Sequence, residues 1–230
     1  MNRQQDLQDR LDRARSWIEA ARVQPSGQKH AAFIFLYIAF NALYGRRRYE
    51  GSEEEARRDR QDFLRRLRRM HDYDLRHGQN VLQRALEACR NPGIALIQDI
   101  YLRDDYWKRK VRAGELREQF RRRATQATAS LTAGRYEEFL ELLLQRLTVL
   151  RNQVFHGCAT YGPKSKGIES LENGLAVLRV LVPAFHELMS RYGQHLDWPP
   201  IPYPRVGSER HPAEDRFVEE EQDGSAVADW

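Results

Sequence analysis

The sequence predicts an all-α protein, and three observations predict it. Apolar residues recur at the three- and four-residue spacing of a buried helical face in segment after segment. No stretch alternates apolar and polar residues with the period of two that a strand needs. Clusters of Pro, Gly, Ser and Asn separate the periodic segments, and nothing repeats internally.

Leu7, Leu11, Ala14, Ile18 and Ala21 mark a first amphipathic helix, which Pro25-Ser26-Gly27 ends. The second helix, Lys29 to Gly45, is apolar nearly all round, the pattern of a helix central to a core or at a subunit interface. Asn41 is its polar exception, and Tyr44 follows one turn later. Arg46, Arg47 and Arg48 come next, and then Ser52-Glu53-Glu54-Glu55, which has the form of a capping box. It opens a third helix that sets Phe63, Leu64, Leu67 and Met70 in a field of arginines. Such a field reads as a solvated face with acidic neighbours or as a phosphate-facing surface. Val81 to Arg90 predicts a short helix ended by Asn91-Pro92-Gly93. A helical pattern returns from Ile94 to Arg123, with Tyr101, Tyr106 and Trp107 close to Lys108, Arg109, Lys110 and Arg112. Aromatic platforms beside cations suit single-stranded RNA; the plainer reading puts Tyr101 and Trp107 in the core. A looser polar stretch, Thr125 to Gly134, leads into the helix around which the chain is organised.

That helix is Tyr136 to Gly157, YEEFLELLLQRLTVLRNQVFHG, with Tyr136, Phe139, Leu140, Leu143, Leu144, Leu147, Leu150 and Val154 on one buried face. Arg151 sits at the edge of that face. Asn152 and His156 are four apart and point the same way, and Gly157 is the expected C-terminal cap. With 33 arginines and 7 histidines, an Arg five residues before a His is expected about once by chance, and Arg66 with His71 is a second instance. The Arg151 pair differs because Asn152, Phe155 and Gly157 surround it in one compact string.

In the loop beyond, Lys164, Ser165 and Lys166 offer donors for a phosphate. A last helix, Ile168 to Tyr192, carries its stripe at Leu171, Leu175, Leu178, Val182, Phe185 and Met189, and Pro183 should kink it or divide it in two. Residues 1–196 are therefore read as one helical domain. Residues 197–230 follow as an extended Pro-rich segment, docked through Trp198 and Tyr203, and an acidic, partly disordered tail. Residues 209–230 hold eight acids against Arg210 and Arg216, a local charge of −6, which leaves +11 on residues 1–208 out of the net +5.

A chain of 230 residues with 41% hydrophobic content can bury a sizeable core. Its pI near 9.3 permits nucleic acid as a partner. Only 5 of the 38 basic residues are Lys, and Arg suits bidentate phosphate contact; an Arg-rich composition throughout explains the same bias. Two cysteines, Cys89 and Cys158, make no disulfide framework and no CxxC. The N-terminus is charged, without the look of a signal peptide. The longest apolar run, Ala31 to Tyr44, is shorter than the roughly 20 residues a membrane span needs. These features predict a cytoplasmic protein with no membrane partner. No HExxH, paired-Cys or His-x-His arrangement offers a metal site, and no Walker, GxGxxG or GxSxG motif occurs, so no cofactor is expected.

RNQVFHG, residues 151–157, resembles the signature of the HEPN superfamily: an Arg, a polar residue, a short spacer and a His near a helix end. FIFLYIAFNALYG, residues 33–45, is similar to the helix that precedes that motif in many HEPN proteins, and the likeness covers roughly residues 30–192. The resemblance implies a HEPN-like helical bundle, usually dimeric, and often a metal-independent endoribonuclease whose site combines motifs from two protomers. It implies RNA as partner, Arg151, Asn152 and His156 as catalytic residues, and Asn41 and Tyr44 as site-lining. Arg46, Arg47, Arg48, Lys164 and Lys166 are the candidate RNA-binding cations. It also suggests a toxin or antiviral defence effector with an antitoxin or other defence-system partner. The family's toxins that pair with a nucleotidyltransferase antitoxin often carry Tyr two residues beyond the His, where this chain has Cys158. Other members are inactive, so a catalytically silent dimerisation or RNA-binding module is the alternative.

Cleavage of RNA by its own 2′-hydroxyl requires a proton taken from that oxygen, a proton given to the leaving 5′-oxygen, and charge stabilised on the phosphorane. A His exchanges protons near neutrality. Arg stays protonated, and its forked donors suit phosphate oxygens as charge builds. His156 is thus the expected general acid or base, Arg151 the phosphate clamp and Asn152 an orienting group. Five residues of ideal helix turn about 500°, which leaves Arg151 and His156 about 140° apart. A curled Arg, an unwound last turn or a second chain would close that gap.

Overall fold

The first two helices, α1 (Arg3–Arg22) and α2 (Lys29–Tyr44), form a hairpin around the Pro25 turn, where the Gln28 N–H donates to the Pro25 carbonyl at 2.8 Å. The computed structural model describes residues 3–45, 53–102, 113–157 and 167–199, and every regular element among them is helical. The others are α3 (Glu53–Arg76), α4 (Val81–Ala88), α5 (Arg90–Gln98), α6 (Ala113–Thr132), α7 (Glu137–Phe155) and α8 (Ile168–Tyr192), with a 3-10 turn at Gly193–His195.

The apolar stripes go where their periodicity sends them. Leu7, Leu11, Ala14, Ile18 and Ala21 of α1 are buried, as are all six stripe residues of α8. The long α8 is the hub, packing on α1, α2, α3, α4, α5 and α7, while α6 lies against α5 and α7. No residue of α2 is fully exposed, as its all-round apolar sequence requires. Trp17 meets Phe35 across the hairpin at 5.5 Å, and Phe40, Phe63 and Phe185 tie α2, α3 and α8 together at 5.5–6.1 Å. Where α3 turns into α4, the fully buried Asp74 accepts the Val81 N–H at 2.7 Å and the Tyr192 hydroxyl at 3.1 Å. One carboxylate thus satisfies an orphan donor at the start of α4 and fastens α3 to α8. No helix among the described residues is long and apolar enough to cross a membrane.

Several boundaries differ from expectation. The short helix stops at Ala88, and Asn91-Pro92-Gly93 do not end it: they form the first turn of α5. Proline suits that place because its missing N–H is unpaired there anyway. Gly93 is needed for packing, since a Cβ there would stand 2.9 Å from Cζ of Phe139 on α7. The pattern read as one helix from Ile94 to Arg123 is interrupted by a turn at Asp99–Leu102, and Trp107 lies outside the described residues. Thr125 to Gly134 is not loose either. The α6 helix runs on to Thr132, with the hydroxyls of Thr125, Thr128 and Thr132 donating to the carbonyls four residues back and Ala124, Ala127 and Leu131 buried. Finally, α8 is one continuous helix; Pro183 does not divide it.

The chain after α8 packs on the body. Trp198 is buried and its indole N–H donates to the Gly193 carbonyl at 2.8 Å. The fully buried Arg10 reaches the carbonyls of Gly45 and Pro199, each at 2.7 Å, and Arg66 donates to the Asp197 carbonyl at 2.8 Å. Tyr203 and the acidic tail lie outside the described residues.

Candidate active site at the end of α7

The buried face of α7 (Phe139, Leu140, Leu143, Leu144, Leu147 and Leu150) clamps the helix into the core up to its last turn. Arg146 is buried as well: its guanidinium lies 4.5 Å from the Phe120 ring and donates to the Leu102 carbonyl at 3.1 Å. The end of the helix is set at Gly157, whose φ of +69° is a left-handed conformation that favours glycine. The His156 N–H still bonds to the Asn152 carbonyl at 2.9 Å, so His156 closes the last turn and its side chain is exposed.

Arg151 is half-buried and held on three sides. Its guanidinium lies 4.7 Å from the ring centroid of Phe155 and 5.8 Å from that of Tyr37 on α2, and its Nη1 donates to Oδ1 of Asn152 at 2.9 Å. The buried Nε–H has no hydrogen-bond partner among the described residues. Among the described residues, one of the five donors a guanidinium carries is thus placed on Asn152. His156 is not among the hydrogen-bond or ring partners of Arg151, in keeping with the angular gap of about 140°.

Behind Arg151 lies a tyrosine pair. Tyr37 donates to the Thr148 hydroxyl at 3.3 Å. Burial pushes the Tyr37 hydroxyl up from its ordinary pKa, against Thr148, Arg151 and Arg60, which pull it down. Tyr44 is raised too, by burial first and then by Tyr37, with Arg60 and Arg151 opposing. Both hydroxyls therefore stay protonated near neutrality and serve as donors, not bases. Tyr44 thus stands within electrostatic reach of Arg151. Asn41 is half-buried on the same face of α2 as Tyr37. Tyr37 escaped the sequence reading because a tyrosine within FIFLYIAF looks like one more core aromatic; its spacing of four and seven from Asn41 and Tyr44 was the available signal.

Arg46, Arg47, Arg48, Lys164 and Lys166 lie outside the described residues. Some arginines of α3 have partners within the chain: Arg65 pairs with Asp62, Arg68 with Glu137 at 3.3 Å, and Arg76 lies over Tyr73 at 5.6 Å. Tyr101 is not a core residue: it is 49% exposed, because Ile100 and Leu102 on either side take the buried positions. Cys89 is buried and its thiol pushed up to about 12, which makes it unreactive. No group of three or more His, Cys, Asp or Glu among the described residues is placed to hold a metal ion. No family model, curated protein or solved structure matches the chain.

Proposed function

We propose that this protein is a metal-independent endoribonuclease that works as a homodimer in the cytoplasm. The observation that carries the reading is Arg151: a guanidinium fixed between Tyr37 and Phe155 and oriented by Asn152, a fork whose donors suit phosphate oxygens. Its neighbour in sequence, His156, is exposed at the helix end, where it can exchange protons with a substrate. In the reaction the 2′-oxygen attacks phosphorus and loses its proton to a base, and the P–O5′ bond breaks as that oxygen is protonated. The products are a 2′,3′-cyclic phosphate and a 5′-hydroxyl.

One His per chain serves one of the two proton transfers. A second copy supplies the other and brings a His to each Arg151. The surface offered for that copy comprises the uncharged Ile34, Ile38 and Asn41 of α2 and Val149 and Asn152 of α7, all half-buried in the single chain, on two helices that the Tyr37–Thr148 hydrogen bond joins. The role as toxin or antiviral effector, with an antitoxin or other defence-system partner, rests on the HEPN resemblance. The gap of about 140° that an ideal helix puts between Arg151 and His156 equally suits the second reading, a silent dimerisation or RNA-binding module.

Alanine variants decide between them. His156→Ala and Arg151→Ala each lower cleavage by at least about 100-fold with the helical circular dichroism unchanged. Arg151→Lys, which keeps charge but loses the fork, stays impaired. Cleavage at the wild-type rate by either alanine variant refutes the assignment.

A further inference from the structure

Two aromatic side chains among the large exposed hydrophobics of the described residues, Tyr101 and Phe155, are 49% and 50% exposed, and both sit at the motif end of α7. Phe155 is the last residue of the helix and has the Arg151 guanidinium 4.7 Å from its ring. Tyr101 belongs to the turn Asp99–Leu102, which three side chains pin. Gln153 of α7 donates to the Tyr101 carbonyl at 2.6 Å, Arg146 of α7 donates to the Leu102 carbonyl at 3.1 Å, and Ser170 of α8 donates to the Asp99 carboxylate. The other Asp99 oxygen accepts the Tyr101 N–H at 2.8 Å. An exposed aromatic on a backbone fixed at both its N–H and its carbonyl is a preorganised contact.

The angular order at the helix end gives the pair a purpose. At 100° per residue the side chains run Arg151, Phe155, Asn152, His156, Gln153 across about 200°. Asn152 and His156 thus lie between Phe155 on one flank and the Gln153–Tyr101 contact on the other, flanks separated by about 10–12 Å, the width of a helix. Along the helix Phe155 is flanked by the polar Arg151, whose guanidinium lies over its ring, and Asn152, company that fits a ring that stacks on a polar, flat ligand better than one buried in a protein contact. We infer that Phe155 and Tyr101 are stacking platforms for two bases of one single-stranded RNA, one on either side of Asn152 and His156. The inference rests on the ribonuclease reading for its RNA and adds the base contacts.

The test uses the full chain and a fluorescein-labelled single-stranded 2′-O-methyl RNA, which binds without being cut, beside a base-free oligonucleotide of the same backbone. Phe155→Ala and Tyr101→Ala each weaken binding of the first about tenfold, the loss expected for one base–aromatic stack. Phe155→Trp and Tyr101→Trp retain it, and the base-free strand binds wild type and all variants alike. Alanine variants that bind the normal strand as tightly as wild type overturn the inference, and so does an equal loss on the base-free strand. A shift in the monomer–dimer equilibrium in place of the binding loss also overturns it, by assigning the rings to a protein contact. Base-dependent binding by a protein that leaves cleavable RNA intact upholds the platforms and refutes the ribonuclease. Cleavage by the alanine variants with unchanged KM does the reverse.

Discussion

Gly174 of α8 lies where a Cβ would stand 2.6 Å from Cδ2 of Leu150, the residue before Arg151. The same Cβ would meet Cε2 of Phe33 at 3.0 Å, so this glycine lets α8 close onto both α2 and α7 at the level of the site. Gly174→Ala gains about 1 kcal/mol of helix propensity. It also overpacks two side chains that are 2% and 0% exposed and have little room to yield, typically a loss of about 1–3 kcal/mol. The expected outcome is a net loss on the order of 1 kcal/mol in a denaturant titration, with slower cleavage because the last turn of α7 is displaced. A stabilised variant would show that α7 and α8 are not in this contact.

A composite site that draws a His156 from each chain predicts dominance. Wild-type and His156→Ala dimers are mixed in equal amounts and allowed to exchange subunits. Half of the dimers are then mixed, and each lacks one of the two proton-transfer groups. Activity should be about a quarter of that of the same total amount of wild-type protein, given random exchange in a two-fold dimer. Activity at about half that level, with exchange verified by a labelled subunit, means that each chain acts alone.

Stability should fall in acid through two histidines. His71 packs edge-on to Tyr136 at 5.1 Å, and burial lowers its pKa against the upward pull of Asp74, Asp72 and Glu137. Burial likewise lowers His186, opposed by its hydrogen bond to the Leu11 carbonyl at 3.2 Å. The unfolded chain takes up these protons first, so the contribution is full above the unfolded pKa near 6.5 and is lost as pH drops below it. Denaturant midpoints measured from pH 8 to pH 5 should decline, and His71→Gln and His186→Gln should each flatten the slope. Equal slopes in wild type and variants contradict the assignment.

The sequence made the fold legible where one kind of force dominates. The stripes of α1 and α8 are set by hydrophobic burial alone, and a period of 3.6 reveals them. It was less legible where a residue has two physical roles. Pro92 opens a helix as readily as it follows one, and Thr128 fits a helix once its hydroxyl bonds back to the Ala124 carbonyl at 2.7 Å. Arg10 and Arg146 were invisible as core residues, because only tertiary structure supplies the carbonyls and rings that let a guanidinium be buried. At the site, Arg151, Asn152 and Tyr44 could be read from one string and one helix. The Tyr37–Thr148 hydrogen bond and the pinning of Tyr101 by Gln153 join residues 111 and 52 positions apart, and no local pattern encodes such contacts.

The ends of the RNA products test the central claim most directly. Purified full-length protein is incubated with mixed single-stranded RNAs in EDTA, and the new termini are identified by mass spectrometry. With His156 proposed for proton transfer and Arg151 for the phosphate clamp, the account predicts 2′,3′-cyclic phosphate and 5′-hydroxyl ends. It predicts none from the His156→Ala protein. Ends carrying 5′-phosphate, activity that vanishes in EDTA and returns with Mg²⁺, or RNA left whole by the wild-type protein would contradict it.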